Sequence, residues 1–259
     1  MTLVNLEIVD NHIAVITLNR PEAANAMSRA LLDNLDQVVL EVNRNQQIYC
    51  VVITGSGNKA FCAGADLKER SGMTNEEVVK AVQYIGKTVT EVESINVPVI
   101  AALNGVAFGG GLELALACDI RIAANTIKLG LTETSLAIIP GAGGTQRLPR
   151  LIGIGKAKQL IYTAKAITAE EAFSIGLVEQ LTTEDELLDT AINIAKTIAK
   201  NGPIALRQAK SAINQGSQVD LKAGLEIEHL CYKKTIPTND RLEGLLAFKE
   251  KRSPVYKGN

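Results

Sequence analysis

Gly109-Gly110-Gly111-Leu112-Glu113-Leu114-Ala115-Leu116-Ala117 lies between two apolar stretches, Val99 to Leu103 and Asp119 to Ala123. The flanking stretches read as strands, and the central one opens on glycines and continues as a helix. Strand, glycine turn, helix and strand in immediate succession predict an α/β fold. Glycines let a ligand approach the backbone, and the first N–H groups of a helix have no intrahelical acceptor. The turn therefore aims free donors at whatever sits before it, an arrangement suited to a developing negative charge.

Working outward, a second glycine-containing loop, Phe61-Cys62-Ala63-Gly64-Ala65-Asp66, also leads into a carboxylate. A third segment places Glu133 ahead of Pro140-Gly141-Ala142-Gly143-Gly144. That last run lacks the Gly-Lys-Ser/Thr ending of a phosphate loop, so it reads as a turn that starts the next helix.

Periodicity supplies the rest of the frame. Val4 to Val9 and His12 to Leu18 are rich in β-branched residues around Asp10-Asn11, which predicts a hairpin. Ser28 to Asn43 carries apolar residues at helical spacing behind an N-cap serine, and Met73 to Ile95 does so behind Thr74. Tyr49 to Thr54 reads as a strand that ends at Gly55-Ser56-Gly57. Beyond Thr145 the pattern is mainly helical, with a short apolar piece at Leu177 to Leu181. The strand, strand, helix order predicts stacked ββα turns followed by a helical C-terminal region, and no low-complexity linker divides them.

Composition bounds the function. A chain of 259 residues with 46% apolar content can bury a full core. Its 27 Lys and Arg against 28 Asp and Glu leave a net charge of −1, so no bulk field favours nucleic acid or an anionic membrane. Cys50, Cys62, Cys118 and Cys231 are widely spaced and form no CxxC pair, which argues against a zinc site or a disulfide framework. No secretory pattern and no apolar run near twenty residues is seen, so the expectation is a soluble protein of a reducing, cytoplasmic compartment.

Glu113 carries two readings. It is either a solvated helix residue beside glycines that permit close packing, or a perturbed carboxyl poised for proton transfer. Its neighbours Leu112, Leu114, Ala115 and Leu116 favour the second, because an unpaired carboxylate among them is costly. Glu133 taken singly reads as a helix-start acid or a salt-bridge partner. Paired with Glu113 in one pocket, it lets two carboxylates split acid and base roles.

Three stretches together resemble the crotonase (enoyl-CoA hydratase/isomerase) superfamily: Phe61 to Glu69, Gly109 to Ala115, and Ile139 to Pro149. Leu18-Asn19-Arg20-Pro21 and Ala247 to Arg252 extend the likeness over nearly the whole chain. Leu112 to Ala123, Leu131 to Pro149 and Thr235 to Lys257 are most similar to the methylglutaconyl-CoA hydratase branch.

The resemblance implies a spiral of ββα turns over residues 1–195 and a helical oligomerisation region over 196–259, assembled as a trimer or a dimer of trimers. It places the oxyanion hole on the backbone of Ala65 and Gly110, and the catalytic glutamates on Glu113 and Glu133. It implies CoA contacts from Ala24 and from the backbone of Ala63, Ala65, Asp66, Leu67 and Lys68, with Phe248 and Lys251 reaching a neighbouring subunit's CoA. The activity implied is hydration of a short-chain 2-enoyl-CoA in fatty acid metabolism, with Glu133 as acid and Glu113 as base. It needs no metal and no cofactor beyond the coenzyme A of the substrate.

A 3-methylglutaconyl-CoA substrate would bring a second carboxylate and so require a cation such as Arg70 or a C-terminal Lys in the pocket. An enoyl-CoA isomerase can work with one glutamate, so the pair favours hydration. The branch resemblance also raises RNA binding, but Ser28 to Gln47 holds only Arg29 and Arg44 as cations beside Asp33, Asp36 and Glu41, which argues against it.

Overall fold

The computed structural model describes residues 2–259. It begins with the hairpin of β1 (Val4–Val9) and β2 (Ile13–Leu18), turned by Asp10 and Asn11 in left-handed conformations at φ 50° and 63°. Helix α1 (Arg29–Arg44) follows, with the Ser28 hydroxyl accepting from the Leu31 N–H.

Three successive turns then build the spiral. The first is β3 (Cys50–Gly55), β4 (Ala60–Cys62), the short α2 (Leu67–Arg70) and α3 (Asn75–Glu93); the second is β5 (Val99–Leu103), β6 (Val106–Phe108) and α4 (Gly110–Ala117). The third is β7 (Ile120–Ala124) and β8 (Lys128–Gly130), followed by α5 (Gly144–Ile152) and α6 (Ile154–Thr163). Thr74 and Glu77 close α3 with a reciprocal capping box.

Each turn gives its first strand to one sheet and its second to another. The six-stranded sheet runs β1-β2-β3-β5-β7-β10 and the four-stranded sheet β4-β6-β8-β9, where β9 is Ile167–Thr168 and β10 is Gln180–Thr182, with α7 (Ala169–Ser174) between them. Strands β2, β3, β5, β7 and β10 pair in parallel, and β3 and β5 are buried at every residue, as parallel strands covered on both faces require. The short apolar piece at Leu177 to Leu181 leads into β10. Leu177 and Val178 are buried in the approach, and the strand begins only at Gln180.

Helix α8 (Leu187–Ala199) packs across β2, β3, β5 and β7, and Ile198 and Ala199 rest against the core. Residue 195 thus lies within a helix that belongs to the spiral. Beyond it α9 (Pro203–Gly216) and α10 (Leu221–Thr235) pack on each other, and α11 (Asn239–Glu250) ends the helical region. Leu221, Leu225, Leu230, Tyr232, Leu245 and Phe248 on these helices are each more than half exposed. No helix among the described residues is long and apolar enough to cross a membrane.

Candidate active site

The ends of the spiral turns meet at an apolar cavity of about 620 Å³. The loop before α2 forms one wall. Gly64 sits at φ +95°, and a Cβ there would fall 2.7 Å from the Phe108 carbonyl oxygen, so glycine lets the first and second turns close on each other. The Met27 N–H donates to Gly64 O at 2.8 Å and the Asp66 N–H to Met27 O at 3.3 Å. These alternate bonds leave the intervening Ala65 N–H without an acceptor among the described residues.

The turn into α4 forms the facing wall. Gly109 caps the helix at φ 52°, ψ −125°, a conformation that side chains disfavour. Gly110 is the first helical residue, and its N–H too lacks an acceptor among the described residues. Ala65 and Gly110 both line the cavity, and a Cβ on Gly110 would lie 3.7 Å from the Ala65 nitrogen, so the two donors are neighbours. Unpaired N–H groups in an apolar cavity are costly, and an oxygen gaining negative charge satisfies both.

The carboxylates occupy the same cavity. Glu113 is 3% exposed, and its Oε1 accepts from the Ala142 N–H at 2.8 Å and the Gly144 N–H at 2.7 Å. Gly144 opens α5, so the carboxylate also sits at that helix's positive end. Burial pushes the Glu113 carboxyl above the usual range, while the two N–H groups, Arg147 and Arg70 oppose the rise.

Glu133 opens a 3-10 turn, Glu133–Leu136, and lies over Gly109, where a Cβ would come within 3.1 Å of its Oε1. Its Oε2 is buried with no hydrogen-bond partner among the described residues. Burial pushes this carboxyl up to about 7, and the charge of Glu113 adds to the push.

The remaining candidates divide. Ala63 and Leu67 line the cavity; Ala24 lies beside it, its carbonyl accepting from the Ala63 N–H at 3.0 Å. Asp66 serves the loop: its carboxylate caps α2 through the Lys68 and Glu69 N–H groups and pairs with Arg20 at 2.5 Å. Lys68 is exposed on α2. Phe248, 86% exposed, and Lys251 lie at the end of α11 and do not line this chain's cavity.

The enoyl-CoA hydratase/isomerase family profile matches residues 9–259. The chain belongs to that family. It is 58% identical over 249 residues to the YngF protein of Bacillus subtilis (strain 168), covering 96% of each. It is 48% identical over 258 residues to human mitochondrial methylglutaconyl-CoA hydratase, covering 98% of this chain and 76% of that one. A 1.8 Å crystal structure of an enoyl-CoA hydratase from Bacillus anthracis superposes with a TM-score of 0.98 at 56% identity, over 99% of this chain and 100% of that one. The protein is therefore an enzyme of the enoyl-CoA hydratase kind, with the crotonase fold expected from the motifs.

Sequence reading missed the anchor of Glu113. Pro140 to Gly144 reads from sequence as a turn that starts a helix, and a helix start next to a buried acid is a signal that free N–H groups will be used. Nothing local pointed to Glu93 and Arg147, which are 54 residues apart and paired by the fold.

Proposed function

We propose that the enzyme adds water across the 2,3-double bond of a short-chain 2-enoyl-CoA. The observation that carries this reading is the pairing, within one apolar cavity, of two unused backbone donors, Ala65 and Gly110, with two carboxyls in unlike environments.

The thioester oxygen would bind between the two N–H groups, which makes C3 electrophilic and stabilises the enolate formed on attack. One such donor contributes about 3 kcal/mol in the transition state. Glu113, held by two N–H groups, would accept a proton from water as the C3–O bond forms. The electron pair of the double bond moves into the enolate, and Glu133 would deliver its proton to C2 on the same face. Each acid or base contributes on the order of a hundredfold or more. Proton return from Glu113 to Glu133, directly or through water, restores the starting state.

A second reading, hydration of an enoyl-CoA whose acyl group ends in a carboxylate such as 3-methylglutaconyl-CoA, is favoured by Arg70. This half-buried arginine lines the cavity together with aliphatic residues of α3 and of 136–139. Its guanidinium has no hydrogen-bond or salt-bridge partner among the described residues, whereas the half-buried Arg20, Arg147 and Arg207 and the buried Arg121 each have one. The name of the human relative supports the same substrate. Side-by-side kinetics with crotonyl-CoA and 3-methylglutaconyl-CoA test both readings. Higher kcat/KM on the second substrate, lost in Arg70→Met, selects the branched dicarboxylic reading; turnover of neither overturns hydration altogether.

The exposed apolar residues of α10 and α11 support a trimer or a dimer of trimers, which would bring Phe248 and Lys251 to a neighbour's CoA. Sedimentation of the purified enzyme tests the assembly.

A further inference from the structure

We infer that the ion pair between Glu93 and Arg147 is a positioning device for Glu113, acting through the backbone of residues 142–144. The inference rests on the hydratase reading for its kinetic consequence but not for its geometry. Arg147 Nε and Nη2 donate to the two carboxylate oxygens of Glu93 at 2.9 and 2.7 Å, a forked contact from α5 to the end of α3. Its third nitrogen, Nη1, donates to the Ala142 carbonyl at 2.9 Å. The N–H of that same Ala142 is one of the two donors that hold Glu113 Oε1. The guanidinium thus fixes one end of residue 142 while the other end fixes the acid.

The loop is shaped for this contact. Gly143 is at φ +105°, and a Cβ there would fall 2.0 Å from Arg147 Nη1, so glycine lets the arginine reach the loop. Gly141 and Ala142 line both the substrate cavity and a cleft of about 1160 Å³ in front of α9 and α10. One backbone segment separates the two spaces, and Arg147 grips it from the cleft side. An isolated exposed ion pair holds little. This one is forked and mostly shielded at Arg147, whose side chain is 16% exposed, and it is tied to a carbonyl as well.

The charged groups that face Glu113 are Glu133 from its 3-10 turn, Arg70 from α2 and Arg147 from α5, with Glu93 of α3 behind the arginine. Removing Arg147 both loosens the Ala142 N–H and withdraws a cation, and each change raises the Glu113 carboxyl further. Less of the base is then ionised at neutral pH, while the thioester contacts at Ala65 and Gly110 are untouched.

The test compares Arg147→Met, Arg147→Lys and Glu93→Gln by hydration kinetics across pH and by carbon NMR titration of the Glu113 carboxyl. Arg147→Met is expected to lower kcat by about ten- to a hundredfold with KM within about twofold, and to move both the acid limb of kcat and the Glu113 titration to higher pH. Glu93→Gln, which keeps the cation but loosens the fork, is expected to give a smaller loss in the same direction. Arg147→Lys should recover part of the loss, because it keeps charge without the planar fork.

An unmoved Glu113 titration in Arg147→Met and Glu93→Gln overturns the inference, as does a rise in KM at unchanged kcat. If Arg147→Met does not fold, the other two variants decide by the same criteria. Absence of hydration in the unmodified enzyme would overturn the functional reading alone, since the carboxyl titration still judges the positioning.

Discussion

Glu113 and Glu133 are chemically identical side chains in one cavity, yet the chain treats them in opposite ways. Around Glu113 everything is fixed: a helix start, two N–H donors and a clamped loop. Around Glu133 little is. It begins a short turn that ends at Ala137 in a left-handed conformation, φ 58°, with Leu136, Ile138 and Ile139 exposed beside it. One oxygen of Glu133 is buried without a partner. What separates the two acids is how many backbone donors reach each carboxylate, and this is how two carboxyls acquire different protonation states at one pH.

The comparison has meaning only if both acids serve one substrate held at Ala65 and Gly110. Gly110→Val puts bulk beside the Ala65 nitrogen while keeping both N–H groups. Its Cβ would meet Met27 Sδ at an ordinary 3.5 Å, so folding should survive with Tm within a few degrees. We expect kcat/KM for enoyl-CoA hydration to fall by at least about a thousandfold. A variant with near-normal turnover would remove this pair of donors from the mechanism.

Next in size are the acids themselves. Glu113→Gln and Glu133→Gln should each lower kcat by at least about a hundredfold with folding intact, as checked by circular dichroism and steady-state kinetics. If either retains normal turnover, that residue is not an acid or base in the reaction and the contrast between the two loses its functional meaning.

The pH profile reads the same contrast with a smaller amplitude. An acid that must carry its proton loses activity as pH rises through its own value, here about 7 for Glu133. A base loses activity as pH falls through its own. The alkaline limb of kcat should therefore vanish in the residual activity of Glu133→Gln, and the acid limb in that of Glu113→Gln. Exchange of the two limbs would reverse the roles.

How much of this was legible depended on how local the cause is. The hairpin at Asp10-Asn11, the Ser28 and Thr74 caps and the glycine turn at 109 are set by neighbours in sequence, and each lies where periodicity and turn chemistry place it. The strands of the second sheet were not individually legible, because β4, β6 and β8 are three residues each, too short to show alternation. Glu113 stood out because a carboxylate among leucines demands a reason. The partners that answer the demand, Ala142 and Gly144, contribute only backbone, which has no signature in composition. Arg147 and Glu93 meet across the fold and could be found only in three dimensions.

The smallest expected effect is on stability. The Glu133 carboxyl lies at about 7 in the folded protein against an ordinary 4.5. Below the ordinary value the acid is protonated folded or unfolded, and its burial costs nothing extra. As pH rises from there through about 7, the unfolded chain ionises freely while the folded one resists, so stability is lost over that window. Glu133→Gln removes the penalty. Because Glu133 is only half-buried, solvent screening reduces the gain to about 1 to 2 kcal/mol above the window, a few degrees of Tm in a chain of this size. Glu113→Gln should gain less, since two N–H groups already favour its ionised form and the amide cannot use them as well. Thermal melts of both variants and the unmodified enzyme on either side of the window measure this. A Tm difference for Glu133→Gln that does not change with pH would mean that the unpartnered oxygen is paired in solution, and the two carboxylates would then be less different than the structure makes them.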